Sequence, residues 1–239
     1  MNRTLGNYNT KQNLSSTTIF HFTNTLDILK SILINGFQVR FIYEKLPGTK
    51  LAYLTNTVCF CDIPLSYIKE HINWYGEYGI GISRKIATQL QLTPVFYIHS
   101  KSRDIPKGSS IKNIKWFENF PFTRYLKQVR GKQMFFDEKN KPYWKWKKFY
   151  DEKEWRYFSS NPILKISKYT NEIELDNQRN QLNENKNLEY LLIKPEWIEY
   201  LIIKDAKELK YLKSVFPNND YYDILLTKII TVKQILNDF

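Results

Sequence analysis

The sequence predicts a single α+β domain, and three observations support this prediction. The 239 residues fit one large domain and can bury a substantial core. Hydrophobic residues make up 42% of the chain and aromatic residues 16%, which separates it from disordered proteins. Between residues 17 and 100, apolar runs rich in β-branched and aromatic residues alternate with segments of helical periodicity. No internal repeat and no second domain can be recognised, so residues 17–239 are expected to form one domain.

The first elements follow a polar N-terminal lead-in over residues 1–16. Residues 17–23 alternate well enough for a strand, and Asn24 or Thr25 can cap a helix. That helix is predicted because leucine and isoleucine recur at helical spacing over 26–33, and Asn35-Gly36 supplies a left-handed exit. The same reasoning predicts strands over 37–43, 57–63, 78–83 and 93–100, and helices over 66–74 and 84–92.

Regular periodicity weakens between residues 101 and 148, and returns in the last third of the chain. Residues 170–187 are rich in Asn, Gln and Glu with little to bury, so we expect an exposed excursion there. The remaining predicted elements are strands over 154–159, 188–193, 198–203 and 224–235, and an amphipathic helix over 206–216.

Composition favours a cytoplasmic protein that contacts anionic partners. No apolar run reaches the ~18–20 residues needed to cross a bilayer, and the N-terminus lacks the apolar centre of a secretory signal. The net charge of +12 raises affinity for polyanions, although a merely soluble Lys-rich surface is the alternative. Cys59-x-Cys61 lacks the spacing of a zinc half-site, so we expect two buried thiols and no metal.

Two short stretches carry the candidate chemistry. Ile19 to Thr23 places a histidine and a hydroxyl, His21 and Thr23, on alternate strand residues, and Asp151 to Arg156 places two carboxylates at i and i+2. This set fits an enzyme that cleaves the glycosidic bond of NAD. His21 and Thr23 would hold the ribose, and Glu154 would stabilise the positive charge that develops on it. Glu152 would position or deprotonate the acceptor, while Arg156 would meet the diphosphate or form an ion pair with Glu154.

A third stretch interleaves lysines with aromatic residues just before the Glu-containing strand. Lys139 to Lys148 reads KNKPYWKWKK. Such a segment can hold a phosphate backbone while its rings stack on bases, and a partly buried aromatic cluster solvated by lysines is the equal alternative. The candidate nucleic-acid-binding residues are Lys141, Tyr143, Trp144, Lys145, Trp146 and Lys147.

The order of these motifs resembles known protein families over most of residues 17–205. The stretch FHFTNTLDILKSILINGF is similar to the opening of DarT-type and related ADP-ribosyltransferase toxins. The stretches VCFCDIPLSYIKEHINWYGEYGIGISRKIATQLQLTPVFYIHS, YDEKEWRYF and IKPEWIEYLIIKD resemble the AbiGi-like family of phage abortive-infection loci. Members of that family are labelled antitoxins, yet their motif layout is similar to the His-Tyr-Glu plan of diphtheria-toxin-type and PARP-like transferases.

The resemblance implies a split β-sheet core of the ADP-ribosyltransferase type with NAD as its substrate. On that plan His21 takes the histidine position, Glu154 the glutamate, and Tyr75 or Tyr78 the tyrosine that stacks on nicotinamide, with Tyr43, Tyr53 and Tyr67 also available. It also implies that the loop before the Glu154 strand selects the acceptor. The expected function is therefore an NAD-dependent toxin of a phage-defence system that modifies RNA or DNA and has a cognate antitoxin.

Two other functions compete with this interpretation. The first is a non-catalytic antitoxin or basic binding protein that grips an acidic toxin or RNA. The second is a nuclease-like toxin that needs no NAD, for which His71 and His99 would have to converge. Coordinates showing whether His21 and Glu154 line one cleft are the most direct check on the transferase hypothesis.

Overall fold

The computed structural model describes residues 17–184, 188–213 and 219–238, so the predicted lead-in over 1–16 lies outside the described residues. The strands are β1 (Thr18–Thr23), β2 (Phe37–Gln38), β3 (Arg40–Lys45), β4 (Leu51–Cys61), β5 (Tyr78–Ser83), β6 (Thr93–Pro94), β7 (Phe96–Ile98), β8 (Leu126–Gln128), β9 (Gly131–Phe136), β10 (Pro142–Lys147), β11 (Glu154–Phe158), β12 (Leu164–Lys168), β13 (Tyr190–Leu191), β14 (Ile198–Ile203) and β15 (Ile229–Thr231). The α-helices are α1 (Leu26–Asn35), α2 (Lys69–Tyr75), α3 (Arg84–Gln89), α4 (Ile111–Asn119), α5 (Glu172–Asn183), α6 (Leu209–Lys213), α7 (Asn219–Leu226) and α8 (Val232–Asp238). Short 3-10 helices cover Leu65–Tyr67, Thr123–Tyr125, Phe149–Glu152, Pro195–Trp197 and Ala206–Glu208.

One mixed sheet of nine strands organises these elements into a single domain of mixed α/β structure. Its order is β15-β14-β5-β1-β4-β11-β6, and β3 and β12 also pair with β4. The strands β14 and β15 are parallel, whereas the other pairs within this sheet are antiparallel. The single α+β domain predicted from the alternation of elements is confirmed at this level.

Both faces of the sheet carry an apolar core, and β1 shows how the sequence builds them. Ile19 belongs to one buried cluster, whereas Phe20 and Phe22 belong to another, as alternation along a strand requires. Glycines at alternate positions of β5 make room for the second cluster. A Cβ at Gly79 would lie 3.0 Å from the Phe22 ring, and one at Gly81 would lie 2.7 Å from the Phe20 ring.

Each edge of the long strand β4 pairs with two other strands. On the first edge β12 pairs with 51–55 and β11 with 57–61. On the other edge β3 pairs with 52–57, while β1 meets β4 only at Cys61. The edge of β4 is therefore unpaired between these two contacts, and His21 fills the gap with a side-chain hydrogen bond of 2.8 Å from Nδ1 to the Cys59 carbonyl. This divergence of β1 from β3 opens the cavity described below.

The first half of the chain follows the predicted elements closely, and β4 is the main exception. Thr25 caps α1 by accepting from the Ile28 amide, and α1 ends at Gly36, which has a φ of 86°. The strand β4 begins at Leu51, six residues before its predicted start at 57. Residues 51–58 are all buried, so this part of the strand shows no alternation that could mark it.

The second half departs from the predicted elements in two places. The excursion expected over 170–187 contains the helix α5, which lies next to β3; Leu175 and Asp176 are buried, and the other described residues of this segment are partly or fully exposed (185–187 lie outside the described residues). The predicted strand over 224–235 is instead α7, the short strand β15 and α8. Its apolar residues suit a buried helix and a buried strand equally well, and periodicity does not separate the two. The aperiodic region 101–148 contains α4, β8, β9 and β10.

Candidate functional site

A cavity of about 520 Å³ lies where β1 and β3 diverge from each other on one edge of β4. The strands β1 and β4 contribute His21 and Cys59, and residues 132–136 of the β9–β10 hairpin form one wall. Four predicted site residues line this cavity together: His21, Tyr75, Glu152 and Glu154. His21, near the N-terminus, and the carboxylates of Glu152 and Glu154 therefore line one cavity, as expected.

A buried lysine ties the carboxylates of the cavity floor together. The Nζ atom of Lys127, on β8, lies 2.7 Å from a Glu152 oxygen, 3.4 Å from a Glu44 oxygen and in direct contact with Glu154. Lys127 is 7% exposed, so these pairs are shielded from solvent. Sequence reasoning missed Lys127 and Glu44, because Lys127 lies in the aperiodic region and Glu44 is an ordinary strand residue.

Arg156 holds the other side of the same cluster. Its Nε donates to Glu154 at 2.5 Å and its Nη2 to Glu44 at 2.5 Å. Its Nη1 donates to the Tyr53 hydroxyl and to the Arg124 carbonyl, both at 2.8 Å. Arg156 is fully buried and lies outside the cavity wall. Of the two predicted roles for this side chain, the structure provides the ion pair with Glu154.

Glu152 forms a second group of contacts with Tyr75 and Lys147. The Tyr75 hydroxyl donates to Glu152, and Lys147 Nζ lies 2.6 Å from Glu152 and 2.7 Å from the Tyr75 hydroxyl. Glu152 ends the 3-10 helix Phe149–Glu152, and Lys153 follows with a left-handed φ of 43°. The two carboxylates therefore do not lie on one extended segment, although both contact Lys127.

The cluster balances its own charge. Burial alone would raise the pKa of Glu154, but the Arg156 guanidinium and the Lys127 ammonium hold that pKa well below its usual range. For Glu152, burial is likewise outweighed by Lys127 and Lys147, which lower its pKa. Burial opposes the charge on Lys127, yet the surrounding carboxylates raise its pKa. Three carboxylates thus face three cations, and all three acids have a described basic partner.

His21 is neutral and its tautomer is fixed. Burial lowers its pKa, and the Cys59 carbonyl can only accept a hydrogen bond, so Nδ1 carries the proton and Nε2 is an acceptor. The ring packs edge-on against Phe37 and Phe60, with centroids 5.0 and 5.7 Å away. Burial also raises the pKa of the Cys59 and Cys61 thiols, which are free.

The other predicted site residues lie elsewhere. Thr23 is buried beside Tyr78 in the β1–β5 pair and lines no part of the cavity. The Tyr78 hydroxyl donates to Glu208 at 2.7 Å, so of the two proposed tyrosines Tyr75 reaches the cavity. His99 is exposed and lies outside the cavity that His71 lines, so the histidine pair required for the nuclease-like alternative is not brought together there.

The basic aromatic stretch forms β10 and its flanks. Tyr143, Trp144, Lys145 and Trp146 are exposed, whereas Lys147 is 8% exposed and belongs to the ion-pair cluster. Trp144 Nε1 donates to Glu172 at 3.0 Å, which ties the hairpin to α5. Lys141 precedes the strand and is exposed.

His71 gives the site a dependence on pH. Burial lowers its pKa from 6.5 to about 4, because the ring packs against Phe22 and Tyr75. The unfolded chain binds the proton first, so we expect stability to fall by about 3 kcal/mol as pH drops from 6.5 towards 4. In His71→Phe, the free energy of unfolding measured with denaturant should not show this part of the decrease between pH 6.5 and 4. His99→Gln, at an exposed position, is the control; an unchanged slope in His71→Phe would contradict the prediction.

Comparison with known proteins then places the chain in a family. Residues 52–204 match the family described as "Putative abortive phage resistance protein AbiGi, antitoxin", which is well over half of the chain. The chain belongs to the AbiGi family. The match includes Tyr75, Lys127 and the strand that carries Glu154, whereas His21 lies before it.

A curated relative supports the AbiGi assignment. The abortive phage resistance protein AbiGi of Lactococcus lactis subsp. cremoris is 29% identical over 121 residues, which cover 41% of this chain and 49% of the relative. The match thus spans about half the length of that relative. No solved structure matches the chain.

The AbiGi resemblance predicted from the motifs is confirmed, and the predicted function is wrong. The expectation was a toxin that transfers ADP-ribose from NAD, whereas the family is described as an antitoxin. Within the described residues, no group of His, Cys, Asp and Glu is arranged to hold a metal ion, and no helix is long and apolar enough to cross a membrane.

Proposed function

We propose that this chain is the antitoxin of an abortive-infection pair and neutralises a toxin protein by binding it. The match of residues 52–204 to the AbiGi family, described as an antitoxin, carries the proposal. Abortive infection as the biological setting is common to the family description and to the lactococcal relative.

The ion-pair cluster supports a binding protein. Glu152 and Glu154, the residues expected to do chemistry, are held by Lys127, Lys147 and Arg156. A buried carboxylate that is ion-paired and hydrogen-bonded is stabilised as an anion and is a poor proton acceptor, since its pKa is low. The cluster instead fixes β8 and β11, and Lys147 fixes the end of β10. It therefore holds the surface hairpin in place.

The exposed surface supports recognition of an acidic partner. The chain carries 36 Lys and Arg against 24 Asp and Glu, and such an excess steers anionic partners towards a protein. The large exposed rings on β10 are of the residue types that dominate binding energy at protein interfaces. Transfer of ADP-ribose is not required for this role, and binding of NAD in the cavity stays a prediction.

Neutralisation in cells tests the proposal. Genes on either side of this one would be expressed singly to find one that arrests growth, and that gene would then be expressed together with this chain. We expect the chain alone to be harmless, the pair to restore growth, and the two proteins to purify as a complex. Growth arrest by this chain alone that disappears in Glu154→Gln would contradict the proposal.

A further inference from the structure

A second depression lies outside the cavity, between α2 and β10. It has a volume of about 1260 Å³, and one wall is the 3-10 helix Leu65–Tyr67 with α2. The other wall is the end of β10 and the chain that follows it, residues 145–148 and 151–153. We call this depression the α2–β10 groove.

Exposed rings stand on both walls of the groove. Tyr67 is 74% exposed and Trp146 is 69% exposed, the first on the helical wall and the second on the strand. Trp74 also lines the groove, and Lys147 Nζ lies 4.6 Å from its ring centroid. Large rings of this kind, spaced along a groove, act as anchors in protein interfaces.

The charge of the groove selects an acidic occupant. Five lysines and three acidic residues line it. Lys147 and Lys148 are paired with Glu152 and Asp151, whereas Lys69 and Lys145 form no ion pair with any described residue. A partner that supplies carboxylates would form ion pairs with these two lysines.

The backbone of β10 offers an open edge along the same groove. Among the described strands β10 pairs with β9 alone. At the hairpin turn the Asp137 amide donates to the Lys141 carbonyl, and the strand register then places Trp144 and Trp146 at positions not hydrogen-bonded to β9. The Lys132 carbonyl, opposite Trp146, accordingly turns away from β10 and accepts from Lys45 Nζ at 3.0 Å. The backbone groups of Trp144 and Trp146 thus point outward from the hairpin.

We propose that the α2–β10 groove is the docking site for an extended acidic segment of the toxin, which adds to the free edge of β10. Backbone hydrogen bonds to Trp144 and Trp146 would give affinity, as in other cases of strand addition. The rings of Tyr67 and Trp146 would anchor apolar side chains of the segment, and Lys69 and Lys145 would pair with its carboxylates. This inference rests on the proposed antitoxin function and adds to it the surface and the chemistry of the partner.

Binding of the toxin found by the neutralisation experiment tests the groove. Trp146→Ala is expected to raise the dissociation constant about thirtyfold or more, as at an interface anchor. The double variant Lys69→Glu with Lys145→Glu should raise it about tenfold, and added salt should shrink that difference. Hydrogen exchange of the Trp144 and Trp146 amides should slow in the complex. Circular dichroism and thermal unfolding would verify that each variant is folded.

Matched variants away from the groove are the controls. Tyr190→Ala replaces an exposed ring outside both cavities, and Lys101→Glu with Lys112→Glu reverses two exposed charges outside them. If the wild-type chain binds no toxin, the antitoxin function fails and the docking site with it. If the wild-type chain binds and the groove variants bind equally well, the docking site alone is overturned. If the groove variants lose binding to a 20-nucleotide single-stranded RNA but bind the toxin as well as the wild-type chain does, the docking site is overturned as well.

Discussion

Replacing Lys127 by methionine should lower the free energy of unfolding by about 3–5 kcal/mol, the usual cost of removing one partner from a buried ion pair. Lys127 Nζ contacts Glu44, Glu152 and Glu154 at once. Methionine fills much of the same volume but leaves two buried carboxylates and the partly buried Glu44 facing two cations. The carboxylates must then take up a proton or draw in water, and each response costs stability.

Urea unfolding at pH 7 measures this loss, and Lys148→Met is the matched control. Lys148 pairs with Asp151 at 2.8 Å, but its side chain is 63% exposed, so its removal should cost no more than about 1 kcal/mol. Adding Glu154→Gln to Lys127→Met removes the one negative charge that exceeds the remaining cations, and it should recover part of the stability. A loss below about 1 kcal/mol in Lys127→Met would show that the cluster is open to water.

The early elements could be predicted because local signals and tertiary structure agree there. Thr25 and Gly36 mark the two ends of α1, and the glycines of β5 lie where aromatic rings of β1 need room. The strand at 78–83 was predicted with its observed bounds. In this part of the chain each residue choice favours the same structure, so the sequence alone is sufficient.

The site was predictable only in part, because its geometry depends on contacts far apart in sequence. His21 and Glu154 share a cavity as expected, yet Lys127, which together with Arg156 lowers the pKa of Glu154, comes from a short strand with no periodic signal. The sequence next to Glu154 offers Arg156 as one ion-pair partner, but nothing local shows that Lys127 will supply a second cation. A Glu-x-Glu motif therefore identified where the carboxylates meet, but not whether they are available for chemistry.

Arg156→Lys should be nearly as damaging as loss of the side chain, by about 3 kcal/mol or more, although it keeps the charge. The guanidinium donates along three directions, to Glu154, to Glu44, and to the Tyr53 hydroxyl with the Arg124 carbonyl. A lysine ammonium is a single point with three donors at the end of a flexible chain, and it cannot reach all four acceptors.

The contacts that Arg156→Lys would weaken join residues of β3, β4 and β11. With lysine at position 156, the Tyr53 hydroxyl keeps its bond to the Leu126 carbonyl, while Glu44 or Glu154 loses its second cation. Thermal and urea unfolding of Arg156→Lys and Arg156→Met should therefore give similar losses. Arg179 pairs with Asp176 and its side chain is 34% exposed, so its replacement by lysine should change stability by less than about 1 kcal/mol. A wild-type stability in Arg156→Lys would mean that charge alone, without the planar geometry, holds the cluster together.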